Sequence, residues 1–572
     1  METLALYGHR NSGNIGLDDP FPPLANGQFL GAIPAVRPLY PFREARFSLR
    51  RGVSGKRFPN SWIALGVAVV FLLAFSLPVS AAENTDKIKG LYVHMHWPYR
   101  HPYAARTWTF EDWRGFAGGL KAIGYNTILV WPMVETMPDP LTASDRAFLQ
   151  KLGRVITMIH EEFQMRVYVV VCPNIKGNAE AAQATFEKRH YYYCDSLVNP
   201  GDPVALGQLV RWREKLLRAL APMDGVAIID SDPGCYPGST TAEFVHLLGE
   251  HRKMLDRLRP NIELIYWMHL GWRGWSRYYE QGKYLFGTPE EQLEALTLLK
   301  ELNPEPWGVA NGLPYAQKLG VADKVISFNY GVIEGEPSFP MSNFGGTAAY
   351  EGGKGALARG VMGNAQTHCV QLPNIFAFAR GANNLPLADT DYWQFADNLI
   401  PGQGATILAA WRLLPSDDAN AQRAMADKLV KLPSRQIKAG SLGGLLFNDP
   451  RRFLNDLAMM LRMKAARSSF ILAAERRQAL KEPLGQLVAA VEIWQKQHGY
   501  QNFWHDAQLM AALRQIDSPA LKAALDLQHQ VREPFDPGVR TPEEQVRRNF
   551  RAIETHTPQI IAAMRAALRE MR

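Results

Sequence analysis

Asp224-Gly-Val-Ala-Ile-Ile-Asp230-Ser-Asp232-Pro-Gly-Cys235 runs a continuous apolar segment into two carboxylates and a Pro-Gly turn. Val226, Ala227, Ile228 and Ile229 show no polar alternation. They read as a strand buried on both faces, which a parallel sheet covered by helices requires. Acids at the end of such a strand sit at the carboxyl rim, where α/β barrels put their chemistry. Side chains alternate along a strand, which predicts Asp230 and Asp232 on one side and Ser231 on the other. The plainer alternative is that Asp232 opens the Pro-Gly turn while Asp230 caps a neighbouring backbone group.

The pattern around this stretch repeats it. From Lys87 to about Ile400, short apolar runs at 88–95, 125–131, 166–172, 225–230, 262–269, 307–311, 324–330 and 360–366 alternate with amphipathic segments. Thr109-Phe-Glu-Asp112 and Thr288-Pro-Glu-Glu291 each put a hydroxyl at a helix start and an acid three residues later, the second with Pro in the first turn. Gly124 is placed to stop the first of these helices. Eight such alternations predict an α/β fold, a (β/α)8 TIM barrel over 87–400. A doubly wound open sheet is the alternative, without a GxGxxG turn to suggest a nucleotide. Beyond 401 the strand-like runs stop. Apolar residues recur at helical spacing in 454–480, 485–498, 503–514, 519–530 and 542–571, and Thr541-Pro-Glu-Glu544 repeats the cap. An all-α C-terminal domain over 401–572 is expected, in keeping with 572 residues being too many for one core.

Residues 61–82 form the long apolar stretch of the chain, preceded by Lys56 and Arg57 and ending in Val79-Ser-Ala81. Basic, apolar and small segments in that order read as an export signal over 56–81, cleaved after Ala81. An uncleaved anchor is the runner-up, since the run approaches bilayer length. Residues 1–55, rich in Pro, Gly and Arg, read as a disordered extension or a mis-assigned start. The expected location is periplasmic or secreted, with no membrane partner once the signal is gone. Cys172, Cys194, Cys235 and Cys369 are too few for a disulfide scaffold and lack zinc spacing. The net charge of +8 is scattered along the chain, which argues against nucleic acid as a partner.

If the barrel closes, the segments after its strands share one pocket. They contribute His94, His96 and Trp97, then Glu135, then Asn174, then Asp230, Asp232 and Tyr236. Trp267, His269 and Trp272 follow strand five, Asn329, Tyr330, Glu334 and Glu336 strand seven, and Asn364 and Gln366 strand eight. Sugar rings lie against aromatic faces, and their hydroxyls need carboxylates, amides and imidazoles around them. These residues therefore point to a carbohydrate as the binding partner, with no cofactor. Glycosidic cleavage needs two carboxyls flanking the bond, one of them kept protonated. Asp232 as acid/base and Glu334 as nucleophile or base are the preferred pair, with Asp230 orienting Asp232 or raising its pKa. Alternatively Asp230 and Asp232 act together on a substrate bearing an acetamido group. Glu135 and Glu336 are spares, and Asp230, Glu135 and Glu336 can each instead be a surface ion-pair partner.

Gly90-Leu-Tyr-Val-His-Met-His96-Trp97 and the strand ending Asp-Ser-Asp-Pro-Gly-Cys235 resemble barrel glycoside hydrolases of the hexosaminidase and α-glucuronidase type. The resemblance spans roughly 87–400, and some members carry a helical C-terminal domain. It implies glycosidase activity. Hexosaminidases place adjacent Asp-Glu after strand four and O-GlcNAc hydrolases adjacent Asp-Asp, where this chain has Asp-Ser-Asp. A competing reading is a metal-dependent amidohydrolase, in which His94 and His96 share a metal with His269. That family's remaining ligands have no counterpart, since strand six shows Val309-Ala-Asn311 and strand eight Asn364-Ala-Gln366. A third is a glycan-binding barrel without catalysis.

Overall fold

The computed structural model describes residues 87–95, 100–177, 179–189, 196–231, 234–274, 287–334, 347–354, 359–365, 370–499, 506–532 and 558–571. Within 87–572 the chain forms a single compact unit.

Eight parallel strands close into a barrel. They are β1 Ile88–Val93, β2 Thr127–Val130, β3 Arg166–Val171, β4 Gly225–Ile229, β5 Glu263–Trp267, β6 Trp307–Ala310, β7 Val325–Asn329 and β8 Gly360–Ala365. Each neighbours the next, and β8 returns to pair with β1 through Ile88↔Gly360 to Val93↔Ala365. The open-sheet alternative is thereby excluded. The expected strands agree with these bounds to within two residues at each end. A short antiparallel pair, Ile175–Lys176 with Ser196–Leu197, sits in the excursion after β3 and was not expected.

The register decides which side chains fill the barrel. Tyr168, Gly225 and Glu263 lie side by side across β3, β4 and β5. Tyr168 Oη donates to Glu263 Oε2 at 2.9 Å, and Arg359 Nη2 donates to the same oxygen at 3.0 Å. Glycine is needed beside this group. A Cβ on Gly225 would meet the Tyr168 ring at 2.5 Å, and one on Gly308 would meet Arg359 Nη1 at 2.3 Å. Toward the strands' C-terminal ends a layer of rings takes over. Trp267 lies 4.3 Å from Phe328 and 5.7 Å from Tyr92, whose own ring sits 4.0 Å from the His94 imidazole. Tilted and edge-on pairs of this kind are each worth about 0.5–1.5 kcal/mol beyond their burial.

Helices cover the barrel: α1 Phe110–Ala122, α2 Ala143–Phe163, α3 Pro203–Leu217, α4 Thr241–Leu258, α5 Pro289–Leu302, α6 Leu313–Leu319, α7 Thr347–Gly353 and α8 Leu372–Ala382. Both expected capping boxes form. Thr109 Oγ1 accepts from Asp112 N at 3.1 Å, and Thr288 Oγ1 accepts from Glu291 N at 3.3 Å. Gly124, at φ 105°, ends the turn after α1 in a conformation that L side chains rarely adopt. The box at Thr541 lies outside the described residues.

The later helices are α9 Asp389–Leu399, α10 Gly404–Leu413, α11 Ala419–Val430, α12 Pro450–Glu475, α13 Lys481–His498, α14 Ala507–Leu513 and α15 Pro519–Arg532. They pack onto the α1 side of the barrel. Gly115 on α1 meets Gly444 backbone to backbone, so that a Cβ on Gly444 would fall 2.2 Å from the Gly115 carbonyl oxygen. Trp108, wholly buried, fills the same junction between Trp113, Phe116 and Phe447. At about 25 cal/mol per Å² and about 200 Å² for a tryptophan, that ring contributes about 5 kcal/mol of gross burial. No helix among the described residues is long and apolar enough to cross a membrane.

Candidate functional site

The rim begins where β4 ends. Backbone alternation turns Ile229 into the barrel beside Trp267 and sends Asp230 toward the helix side with Tyr266, which packs on Phe244 of α4. The Asp230 carboxylate is fully buried and collects donors from both sides. It accepts from Ser231 Oγ (2.8 Å), Tyr266 Oη (3.0 Å) and the backbone N–H groups of His269, Leu270 and Gly271 (3.1, 3.2 and 3.2 Å). Burial pushes the Asp230 carboxyl above the usual range, and the His269 imidazole and these hydrogen bonds oppose the rise. The capping alternative for Asp230 therefore holds, with the turn after β5 as the capped group. Its oxygens are committed to protein donors, so a role as a reacting acid is corrected to one of support.

That turn carries His269. Its Nδ1 lies 2.7 Å from the Ser231 carbonyl oxygen, which can only accept, so Nδ1 carries the proton. Nε2 has no partner among the described residues, and the ring is half-buried.

Glu135, after β2, is also consumed by structure. It is 2 % exposed, with Oε2 accepting from Trp131 Nε1 at 3.2 Å and Oε1 from Cys172 N at 2.5 Å. Burial raises its carboxyl pKa, against the pull of the Arg213 guanidinium. Arg213 is itself lowered to about 10 by burial and donates to Pro173 O at 2.6 Å. Beside it His251 is held down to about 3 by burial and by the Arg213 charge. His251 Nδ1 donates to Leu247 O (2.7 Å), leaving Nε2 to accept from Arg213 at 2.8 Å.

Glu334 follows β7 and is 7 % exposed. Its backbone carbonyl accepts from Asn364 Nδ2 of β8 at 2.8 Å, and the preceding Ile333 carbonyl accepts from Asn374 Nδ2 of α8 at 3.0 Å. Two amides thus fix the backbone of the segment that carries this acid. Asn364 acts there through its amide and is fully buried. Asn174 likewise ties segments together, donating to Val198 O at 2.8 Å and Cys235 O at 2.6 Å. His94 and Trp267 belong to the ring layer and are 6 % and 5 % exposed. Tyr236 and Tyr330 are half-buried.

Two expected ligand contacts are corrected. Trp272 stacks on Phe244 at 5.1 Å, and its Nε1 donates to Ser239 Oγ at 2.7 Å, so it packs the barrel against α4. Asn329 has the opposite parity to Phe328. It faces the helices, where its Nδ2 donates to the Gly352 carbonyl of α7 and its Oδ1 accepts from Ser327 Oγ. His96, Trp97, Asp232, Glu336 and Gln366 lie outside the described residues, as do Cys194, Cys369 and residues 1–86. Cys172 and Cys235 are buried. Tyr266, Ser231, Arg213, His251 and Asn374 were not anticipated. Tyr266 alone could have been found, from its parity with Asp230 once β4 and β5 are laid side by side.

The fold and this rim define a (β/α)8 barrel whose C-terminal end carries buried carboxylates, amides, an imidazole and a buried layer of rings. No family model matches the chain, and no curated protein matches it. Among solved structures it is similar to a GH20 β-N-acetylhexosaminidase from Streptomyces coelicolor, at 13% identity and TM-score 0.33, over 54% of this chain and 67% of that one. A GH138 enzyme targeting pectin rhamnogalacturonan II shows 10% identity and TM-score 0.37, over 79% and 69% of the two chains. An O-GlcNAc hydrolase variant from Thermobaculum terrenum shows 12% identity and TM-score 0.34, over 83% and 96%.

Proposed function

We propose that the protein is an exported glycoside hydrolase acting on an oligosaccharide or polysaccharide, with Asp232 as general acid and Glu334 as nucleophile or base. The closed barrel carries this reading. Because β4 and β7 are strands of one ring, the chain leaves the same rim as it runs from Asp230 into Asp232 and from Asn329 into Glu334. Cleavage requires a proton donor to the leaving oxygen and a second carboxylate on the other side of the bond. Asp230 serves neither role, since its oxygens hold the neighbouring turn. The ring layer of Tyr92, Trp267 and Phe328 offers an apolar floor, and His269 Nε2 a partner for a hydroxyl. Export rests on the basic, apolar and small segments of 56–81.

The test is hydrolysis of a panel of chromogenic glycosides and bacterial polysaccharides by the exported form. Asp232→Asn and Glu334→Gln are each expected to lower kcat by at least about a hundredfold. Near-wild-type turnover in both variants refutes the pair. Turnover that requires stoichiometric zinc, and is lost on chelation, would move the assignment to the amidohydrolase class.

A further inference from the structure

We infer that Asp230 is a positioning residue whose task is to commit His269 to the tautomer with Nδ1–H on Ser231, leaving Nε2 as an acceptor for a substrate hydroxyl; its role toward substrate rests on the glycosidase reading. Three observations carry this. First, the carboxylate spans two strand ends, taking Ser231 Oγ from the β4 side and three consecutive N–H groups, at residues 269, 270 and 271, from the β5 side. A carboxylate that accepts several N–H groups fixes the backbone presenting them. Second, the residue it fixes on one side supplies the carbonyl that the imidazole on the other side bonds, at 2.7 Å. The ring is thus held by both ends of one bridge, and the tautomer follows from a backbone acceptor. Third, Nε2 has no partner among the described residues and sits on a half-buried ring just past the end of β5. The bridge also holds Ser231, the residue before Asp232 in the chain.

The experiment reads the ring directly, by two-bond proton–nitrogen correlation of the histidine side chains at about pH 8, above the ordinary imidazole value of about 6.5. The His269 signal is assigned by its loss in His269→Ala. Wild-type protein is expected to show Nδ1 protonated and Nε2 bare, and an Nε2–H tautomer overturns the inference. Asp230→Asn, which turns an amide NH2 toward donors, is expected to collapse this pattern to the average of the two tautomers. An unchanged pattern in a folded Asp230→Asn variant also overturns it. Tyr266→Phe removes one donor and keeps the ring, so it should retain the Nδ1–H form, and its loss there would assign the control to the tyrosine instead. On any glycoside that is hydrolysed, His269→Ala should raise KM about tenfold with kcat changed less than about threefold, the signature of uniform binding. A kcat loss of a hundredfold at constant KM refutes hydroxyl recognition. The tautomer is read without substrate, so it can stand when the glycosidase reading fails.

Discussion

Arg189 and Asp145 offer the sharpest test of how the rim is supported, because both side chains are completely buried. Arg189 Nη1 donates to Asp145 Oδ1 at 2.5 Å, and the guanidinium also reaches the carbonyls of Thr136 (3.1 Å) and Ala184 (3.0 Å). Asp145 is at the same time the acid of the capping box that starts α2, its Oδ2 taking Thr142 N at 2.9 Å and Thr142 Oγ1 at 2.6 Å. Arg189→Met strips Oδ1 of its donor while the charge stays buried. Breaking one partner of such a pair costs about 3–5 kcal/mol, or about two to three and a half decades in the folded-to-unfolded ratio. Asp145→Leu strands the guanidinium and removes the cap, which alone is worth about 1 kcal/mol. The double variant buries no unpaired charge, so it should lose only about 1–3 kcal/mol, far less than the sum of the singles. Urea denaturation of the four proteins, followed by tryptophan fluorescence, gives the cycle. A loss below about 1 kcal/mol for Arg189→Met, or additive single and double losses, would refute the view that this pair pins the excursion after β3 to α2.

Glu135→Gln tests the buried carboxyl after β2 through pH. Its raised value means the folded state holds the proton more tightly than the unfolded chain does. That contribution is complete below the ordinary value of 4.5 and is lost as pH rises through the folded value, so the wild type should gain on the glutamine variant as the solution is acidified. Denaturation midpoints at several pH values check this, and a gap that moves the other way refutes it. Trp272→Phe keeps the stack on Phe244 but loses the indole bond to Ser239. It should cost about 1 kcal/mol of stability and leave KM for a hydrolysed glycoside unchanged, whereas a tenfold rise in KM would return Trp272 to the binding surface.

What the residues disclose, and what they conceal, divides at the last rung of each strand. Val226 to Ile229 and Val167 to Val171 are continuous apolar runs, and in a barrel covered by helices both faces are dry, so the strands are legible without any partner. Parity is harder to read. Whether Phe328 or Asn329 faces the barrel depends on register with β8, through Met362↔Phe328, and nothing within the strand itself sets that. The same holds for Asp230, which lies one residue past the end of β4 at Ile229. Trp272 looked like a platform for a ring because composition cannot tell an aromatic that faces a pocket from one that faces α4. Polar groups within or just beyond the ladder are drawn into the barrel's own hydrogen bonding, as Asp230, Glu135, Asn174 and Asn364 all are. A buried polar atom left without a partner costs about 1–3 kcal/mol, so a fold that sinks such groups at strand ends is favoured when they bond internally, as the amide nitrogens of Asn174 and Asn364 do while their oxygens have no partner among the described residues. Distance past the ladder does not by itself separate structural from reacting acids, since Glu135 and Glu334 each lie five residues beyond their strands, and the reacting pair is therefore assigned by substitution of Asp232 and Glu334.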